Sequence, residues 1–165
     1  MNTRVLAVIP ARGGSKSIPK KNIKEILGRP IIAYTIIEAL RAKILSRVIV
    51  SSDDKEILEV SKKYGADTLL RPNEYATDDA LSIDVMIHAI KACENEEGKR
   101  YDYAVMLQPR TPMRKTEDID EAIKKLIEKK TDSVISVVHV GAIHPYGMKK
   151  VVDGMLVDYT DGGTE

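Results

Sequence analysis

The sequence predicts an α/β domain built on a mainly parallel sheet, and three observations carry that prediction. Short runs of apolar, β-branched residues alternate with longer segments of helical period, the pattern of βαβ units. The chain opens on a continuous apolar run, Val5 to Ile9, which reads as a buried strand. Its 165 residues have the length of one domain with a real core, so a single domain spanning 1–165 is expected.

The elements follow in order. Pro30 opens a helix in which Ile32, Ile36, Ala39 and Leu40 share one face. Arg47 to Ser51 is the next strand. Asp53 with Glu56 has the spacing of a capping box, Ile57, Val60, Ser61 and Tyr64 continue at helical period, and Gly65 stops the helix. Ala66 to Leu70 makes a short third strand. Thr77 is placed to cap another helix, with Asp78 and Asp79 near its positive end and Ile83, Met86, Ile87 and Ile90 as the buried stripe. Tyr103 to Leu107 returns as a strand. Thr116, Glu117 and Asp118 begin a helix that closes among Lys124, Lys125, Lys129 and Lys130, so its charges oppose the macrodipole. Ser133 to Val138 reads as a further strand. Met148 to Val152 and Met155 to Tyr159 then flank Asp153-Gly154, a strong hairpin signal.

Composition excludes several function classes. The 26 basic residues against 25 acidic ones leave a net charge of +1, against nucleic-acid binding as the main task, and the absence of Phe and Trp removes the usual stacking platforms. The single cysteine, Cys93, allows no internal disulfide and no Cys-rich metal cluster, which fits a reducing cytoplasm; an inert thiol is expected. The opening apolar run is too short for a signal-peptide core or a bilayer span, so no membrane role is expected.

In open parallel sheets ligands bind beyond the carboxyl ends of the strands, so the loops leaving strands are where chemistry belongs. The loop from Pro10 to Asn22 holds two glycines, serines and the cations Arg12, Lys16, Lys20 and Lys21. Glycines let backbone amides approach a polyphosphate, and Arg and Lys supply charge, as a nucleoside triphosphate site requires. It is neither a Walker A loop nor the Gly-x-Gly-x-x-Gly of dinucleotide binders. A solvated basic loop that happens to contain glycines has the same composition.

The segment Ile9-Pro10-Ala11-Arg12-Gly13-Gly14-Ser15-Lys16, followed by Ile18-Pro19 and Lys21-Asn22, resembles the signature loop of the acylneuraminate cytidylyltransferases, the CMP-sialic acid synthetases. The similarity continues collinearly at Leu70-Arg71-Pro72, Ser82-Ile83-Asp84, Leu107-Gln108-Pro109 and His144-Pro145. The resemblance implies a three-layer, Rossmann-like nucleotidyltransferase fold ending in a dimerisation hairpin. It also implies transfer of CMP from CTP to a nine-carbon 2-keto sugar acid of the sialic acid type, with release of pyrophosphate and a divalent cation such as Mg²⁺.

By the same resemblance, Arg12 and Lys21 are the catalytic cations on the phosphates, and Ala11, Gly13, Gly14, Ser15, Lys16, Asn22, Arg71 and Ser82 hold the nucleotide. Gln108 and His144 lie toward the sugar, and the partner is a second copy of the chain. Without the resemblance, Arg71 reads as a surface arginine fixed before Pro72, Ser82 as a helix-face hydroxyl, and His144 as a turn residue before proline.

Two departures bear on substrate and completeness. Where the family has hydroxyl residues in Gln-Pro-Thr-Ser-Pro-Leu-Arg, this chain reads Gln108-Pro109-Arg110-Thr111-Pro112-Met113-Arg114, which adds a cation. Arg110 can alter acceptor choice, reach phosphate, or point into solvent. Family members also continue into a segment bearing paired, magnesium-binding aspartates, so a chain lacking that part is expected, which opens the alternative of a nucleotide-binding or dimerising fragment without catalysis; a separate, enzymatic alternative is a nucleotidyltransferase for legionaminic or pseudaminic acid. Asp158 and Asp161 read as solvated turn residues, and no metal ligand is assigned.

Overall fold

The computed structural model describes residues 3–15, 18–139 and 148–159. The chain divides into two compact units, Met1–Asp132 and Ser133–Glu165.

The first unit is built on four parallel strands. β1 (Val5–Pro10) is followed by a small antiparallel ribbon of β2 (Glu25–Ile26) and β3 (Arg29–Pro30), then α1 (Ile31–Arg41), β4 (Arg47–Ser52), α2 (Lys55–Lys63), β5 (Asp67–Leu70), α3 (Ser82–Glu97), β6 (Tyr103–Met106) and α4 (Thr116–Lys129). The sheet order is β5-β4-β1-β6, with Leu6 opposite Arg47 on one side of β1 and Val5 opposite Tyr103 on the other.

The chain thus steps outward from β1 to β4 to β5, then crosses back to place β6 on the other flank of β1. The reversal puts a topological switch point between the carboxyl ends of β1 and β6, where such sheets form their ligand crevice.

The continuous apolar run of β1 has a direct structural cause, because successive side chains point to opposite faces and both are covered. Val5, Ala7 and Ile9 pack with Ile32, Ile36 and Ala39 of α1, Ile57 of α2 and Ile119 and Ile123 of α4. Leu6 and Val8 face the other way, onto Met86, Ala89 and Cys93 of α3. These are the three layers expected. Truncating a core residue such as Ile36 to alanine costs about 2–5 kcal/mol. Cys93 is buried and free, and burial pushes its thiol up, as the expectation of an inert cysteine requires.

Local propensity and tertiary packing part company at several points. Leu40 does not join the buried face of α1; it is exposed, and Ala33 and Thr35 fill that face instead. The cap of α2 is Asp54, not Asp53: its side chain accepts from the amides of Glu56 and Ile57. Thr77 does not cap α3, which begins five residues later at Ser82. Its buried stripe is Val85, Met86, Ala89 and Cys93, with Ile83 and Ile87 exposed, because the side that packs on Leu6 and Val8 of the sheet carries Met86, Ala89 and Cys93.

In the second unit, 133–139 forms no strand, and Ile135, Val137 and Val138 are exposed. Alternating apolar residues favour extended backbone, but a strand requires a neighbour to pair with. The expected hairpin is present as β7 (Lys149–Val152) and β8 (Met155–Asp158), with Val152 opposite Met155. Asp153 and Gly154 take φ of 50° and 77°, the left-handed pair that a two-residue hairpin turn demands. Among the described residues no helix is long and apolar enough to cross a membrane.

Candidate active site

The loop leaving β1 is fixed to the sheet before it reaches solvent. The Ala11 amide donates to the Ser51 carbonyl at 2.9 Å, extending the β1–β4 ladder, and the Ala11 side chain is fully buried. Ala11 therefore acts by placement, since its N–H is already engaged. The Gly13 amide donates to Asp53 Oδ1 at 3.0 Å, and Ser15 N–H closes onto the Gly13 carbonyl at 2.9 Å. A Cβ on Gly13 would sit 2.8 Å from Asp54 Cβ, so only glycine brings the loop this close to β4. The far end is tied by Asn22, 6% exposed, whose Nδ2 donates to the Arg12 carbonyl at 2.9 Å.

These ties narrow the expectation that loop amides cradle a phosphate. Among the described residues from Ala11 to Ser15, the N–H groups of Arg12 and Gly14 carry no intramolecular hydrogen bond. Ser15 Oγ is buried without a partner, a donor that water or a ligand oxygen must satisfy.

Arg12, Ser15, Lys21, Asn22, Arg71, Ser82 and Gln108, which lie far apart in the chain, line one cleft of about 470 Å³ at the β1/β6 switch point. That volume is within the usual range for small-molecule sites. Gly13 and Gly14 line the adjoining depression with Ser15, Thr77 and Asp78. Lys16 and His144 lie outside the described residues.

Each cleft residue is placed by its element. Arg71 follows β5 and is held by its amide to the Ser52 carbonyl at 2.8 Å. It is 4% exposed rather than a surface side chain, and Nη2 lies 3.6 Å from Asp53 Oδ1, an ion pair too long for a hydrogen bond. Its Nε and Nη2 have no hydrogen-bond partner, and burial pulls the guanidinium below its ordinary value against the opposing charge of Asp53. Ser82 is the first residue of α3 and is exposed. Gln108 follows β6, its carbonyl accepting from Thr35 Oγ1 at 3.2 Å and Arg114 Nη1 at 3.3 Å, which anchors the backbone there.

Other residues belong to the site that motif reading did not place there. Asp53, read as a helix cap, faces the glycine loop and Arg71 instead. Thr77 and Asp78, also read as helix-start signals, hold Arg12: its Nη1 donates to the Thr77 carbonyl at 3.1 Å and its Nη2 pairs with Asp78 Oδ1 at 2.8 Å. Arg110, left open by the sequence between acceptor, phosphate and solvent, is exposed and lines the cleft beside Gln108 and Pro109. Among the described residues no cluster of three metal-ligating side chains occurs.

The chain matches the family model described as "Cytidylyltransferase" over residues 6–153. It is 40% identical over 124 residues to an N-acylneuraminate cytidylyltransferase of Escherichia coli, covering 75% of this chain and 28% of that protein. It is 39% identical over 127 residues to a pseudaminic acid cytidylyltransferase of Campylobacter jejuni, covering 76% of this chain and 54% of the relative. The chain thus spans about half, or less, of the length of these relatives. A CMP:2-keto-3-deoxy-manno-octonic acid synthetase complexed with CTP superposes with a TM-score of 0.66 at 22% identity, over 78% of this chain and 49% of that one, a likeness of fold. The matched span runs from within β1 to the turn of the terminal hairpin and takes in every strand of the parallel sheet, and by that match the chain belongs to the cytidylyltransferase family.

Proposed function

We propose that the protein transfers CMP from CTP to a nine-carbon 2-keto sugar acid of the sialic acid type and releases pyrophosphate. The observation that supports this reading best is the convergence of Arg12, Ser15, Lys21, Asn22, Arg71, Ser82 and Gln108 on one cleft at the switch point of a cytidylyltransferase-family sheet.

In the proposed reaction the anomeric hydroxyl of the acceptor attacks the α-phosphorus of CTP, the bond to the β-phosphate oxygen breaks, and the electron pair leaves with pyrophosphate. Negative charge builds on the α-phosphoryl oxygens and the leaving group. Arg12, Lys21, the Gly14 amide and Ser15 Oγ are the groups assigned to stabilise it, and because the loop is tied to β4 they need little reorganisation as the charge develops. Arg71 and Ser82 orient the nucleotide, and Gln108 lies on the acceptor side.

The described residues offer a metal ion no cage of their own. Mg²⁺ is usually held by one or two carboxylates plus substrate phosphates and water, so an ion would arrive with the triphosphate and supply charge neutralisation on the phosphates.

The choice of acceptor is a second question. The pseudaminic acid relative and the extra cation Arg110 in the cleft favour testing acids beyond N-acetylneuraminate. Pyrophosphate release should be measured from CTP with Mg²⁺ and a panel of N-acetylneuraminic, legionaminic and pseudaminic acids. Release with one of them supports the reading, and none with any nine-carbon keto acid overturns it. Calorimetric CTP binding with no turnover would instead leave a nucleotide-binding module.

The proposed assembly is a homodimer in a reducing cytoplasm. The hairpin supports it, since Val151, Met155 and Leu156 are exposed on a two-stranded ribbon that is marginal by itself. Light scattering showing monomer alone would remove this idea.

A further inference from the structure

We propose that Asp53 is a positioning residue that holds the glycine loop and Arg71 in register with each other across the mouth of the nucleotide cleft. The inference rests on the CTP reading above and assigns a role to a residue that contacts no reacting atom.

Asp53 directly follows β4, the strand whose carboxyl end also secures both of its partners. The Ser51 carbonyl takes the Ala11 amide, the Ser52 carbonyl takes the Arg71 amide, and Ser52 Oγ accepts from the Asp54 amide at 3.0 Å. From that anchored point one oxygen, Oδ1, serves two elements assigned to the nucleotide. It accepts from Gly13 N–H at 3.0 Å and lies 3.6 Å from Arg71 Nη2.

Neither partner is free to compensate. Gly13 is pressed against Asp54 with no room for a Cβ, and Arg71 is 4% exposed with Nε and Nη2 lacking hydrogen bonds. A buried guanidinium in this state relies on a nearby carboxylate for charge balance and on a ligand for its unfilled donors. Asp53 supplies the first and leaves the second to the anion in the cleft. Four cations line that cleft, Arg12, Lys21, Arg71 and Arg110, and their mutual repulsion makes a fixed counter-charge at the loop's root more consequential.

The test compares Asp53→Asn, which keeps an oxygen for the Gly13 amide but removes the charge, with Asp53→Ala, which removes both. CTP affinity is read by calorimetry, kcat and KM by pyrophosphate release, and folding by thermal melting. Asp53→Ala is expected to weaken CTP binding by about 10- to 100-fold, the scale of a lost bond to a charged group, and Asp53→Asn by less. KM for CTP should rise more than kcat falls. A purely structural aspartate would lower the melting temperature and the active fraction yet leave the KM of the surviving enzyme unchanged.

Should Asp53→Ala fail to fold, the near-isosteric Asp53→Asn combined with Arg71→Gln completes a double-mutant cycle on CTP affinity, in which additive losses overturn the proposal and non-additive ones support it. Wild-type affinity for CTP in either Asp53 variant overturns it. A wild-type protein that binds no CTP sinks the functional reading itself, so the two failures are distinct.

Discussion

The guanidinium of Arg12 pairs with Asp78, Nη2 to Oδ1 at 2.8 Å, while Nη1 donates to the Thr77 carbonyl at 3.1 Å. The cation assigned to the triphosphate is thus held by the segment between β5 and α3. Both side chains are more than a third exposed, and such a pair is worth only about 0.2–1 kcal/mol. A phosphate offering bidentate, charge-assisted bonds outcompetes it. Asp78→Asn should therefore tighten CTP binding by about two- to five-fold, and Arg12→Ala should weaken it by about 10- to 100-fold, both effects shrinking as salt is raised. Calorimetry at low and high salt is the measurement. Weaker binding in Asp78→Asn would mean that Asp78 serves the ligand rather than competing with it.

The two glycines of the loop predict opposite signatures. A methyl group on Gly13 would meet Asp54 Cβ and Oδ2 at 2.8 Å, whereas at Gly14 nothing lies within 4 Å. Gly13→Ala must push the loop from β4, and should lower both the melting temperature and CTP affinity. Gly14→Ala should melt like the wild type and lose CTP affinity alone, because its amide carries no internal bond and its Cα is where a phosphate oxygen would approach. Equal CTP affinity in wild type and Gly14→Ala would show that the nucleotide does not come close there.

These residues also show what was legible in the sequence. The alternation of apolar and helical segments identified the parallel sheet because β1 is covered on both faces, a property written into its composition. The glycine-and-cation loop was legible as a place to search because it leaves the carboxyl end of a strand, and the structure brings its Arg12, Ser15, Lys21 and Asn22 to one cleft. The spacing of Asp53 to Glu56 favoured the wrong aspartate as the cap of α2, and only the approach of Gly13 shows that Asp54 serves the helix and Asp53 the loop. The face of α3 was ambiguous in the same way. Ile83 and Ile87 have helical spacing as good as Val85 and Ala89, and the choice between them lies in how the helix meets Leu6 and Val8. The ribbon of β2 and β3 gave no signal, as two residues per strand carry no period.

In the proposed reaction Arg110 is assigned to the acceptor. It lines the cleft beside Gln108 and Pro109, and among the described residues it forms no ion pair with a carboxylate. An unpaired cation on the acceptor side suits the carboxylate of a keto acid. Arg110→Thr, which removes the charge and leaves a small polar side chain, is expected to raise the acceptor KM by about tenfold while CTP affinity stays within about twofold. Losses in both together would place Arg110 on the phosphates.

At the opposite end of the sheet, a cluster around Tyr101 contributes pH-dependent stability. Tyr101 Oη donates to Glu97 Oε1 at 2.7 Å, and Arg4 lies over its ring at 4.4 Å. Burial and the bond to Glu97 push the phenol up to about 12, and that bond, with Arg4 and Arg47, holds the Glu97 carboxyl below its ordinary range. A raised phenol contributes stability that is whole below the ordinary value of 10.0 and is lost as pH climbs through about 12. A depressed carboxyl contributes stability that is whole above 4.5 and is lost as pH falls through its lower folded value. The melting temperature should accordingly hold a plateau between those limits and fall on both sides. Tyr101→Phe should cost about 1 kcal/mol of stability within that range and leave kcat unchanged, since the cluster lies away from the cleft. Ultraviolet titration of the wild type against Tyr101→Phe should assign the ionisation missing from the variant to about 12; a missing ionisation near 10.0 would mean that the Tyr101–Glu97 bond does not persist in solution.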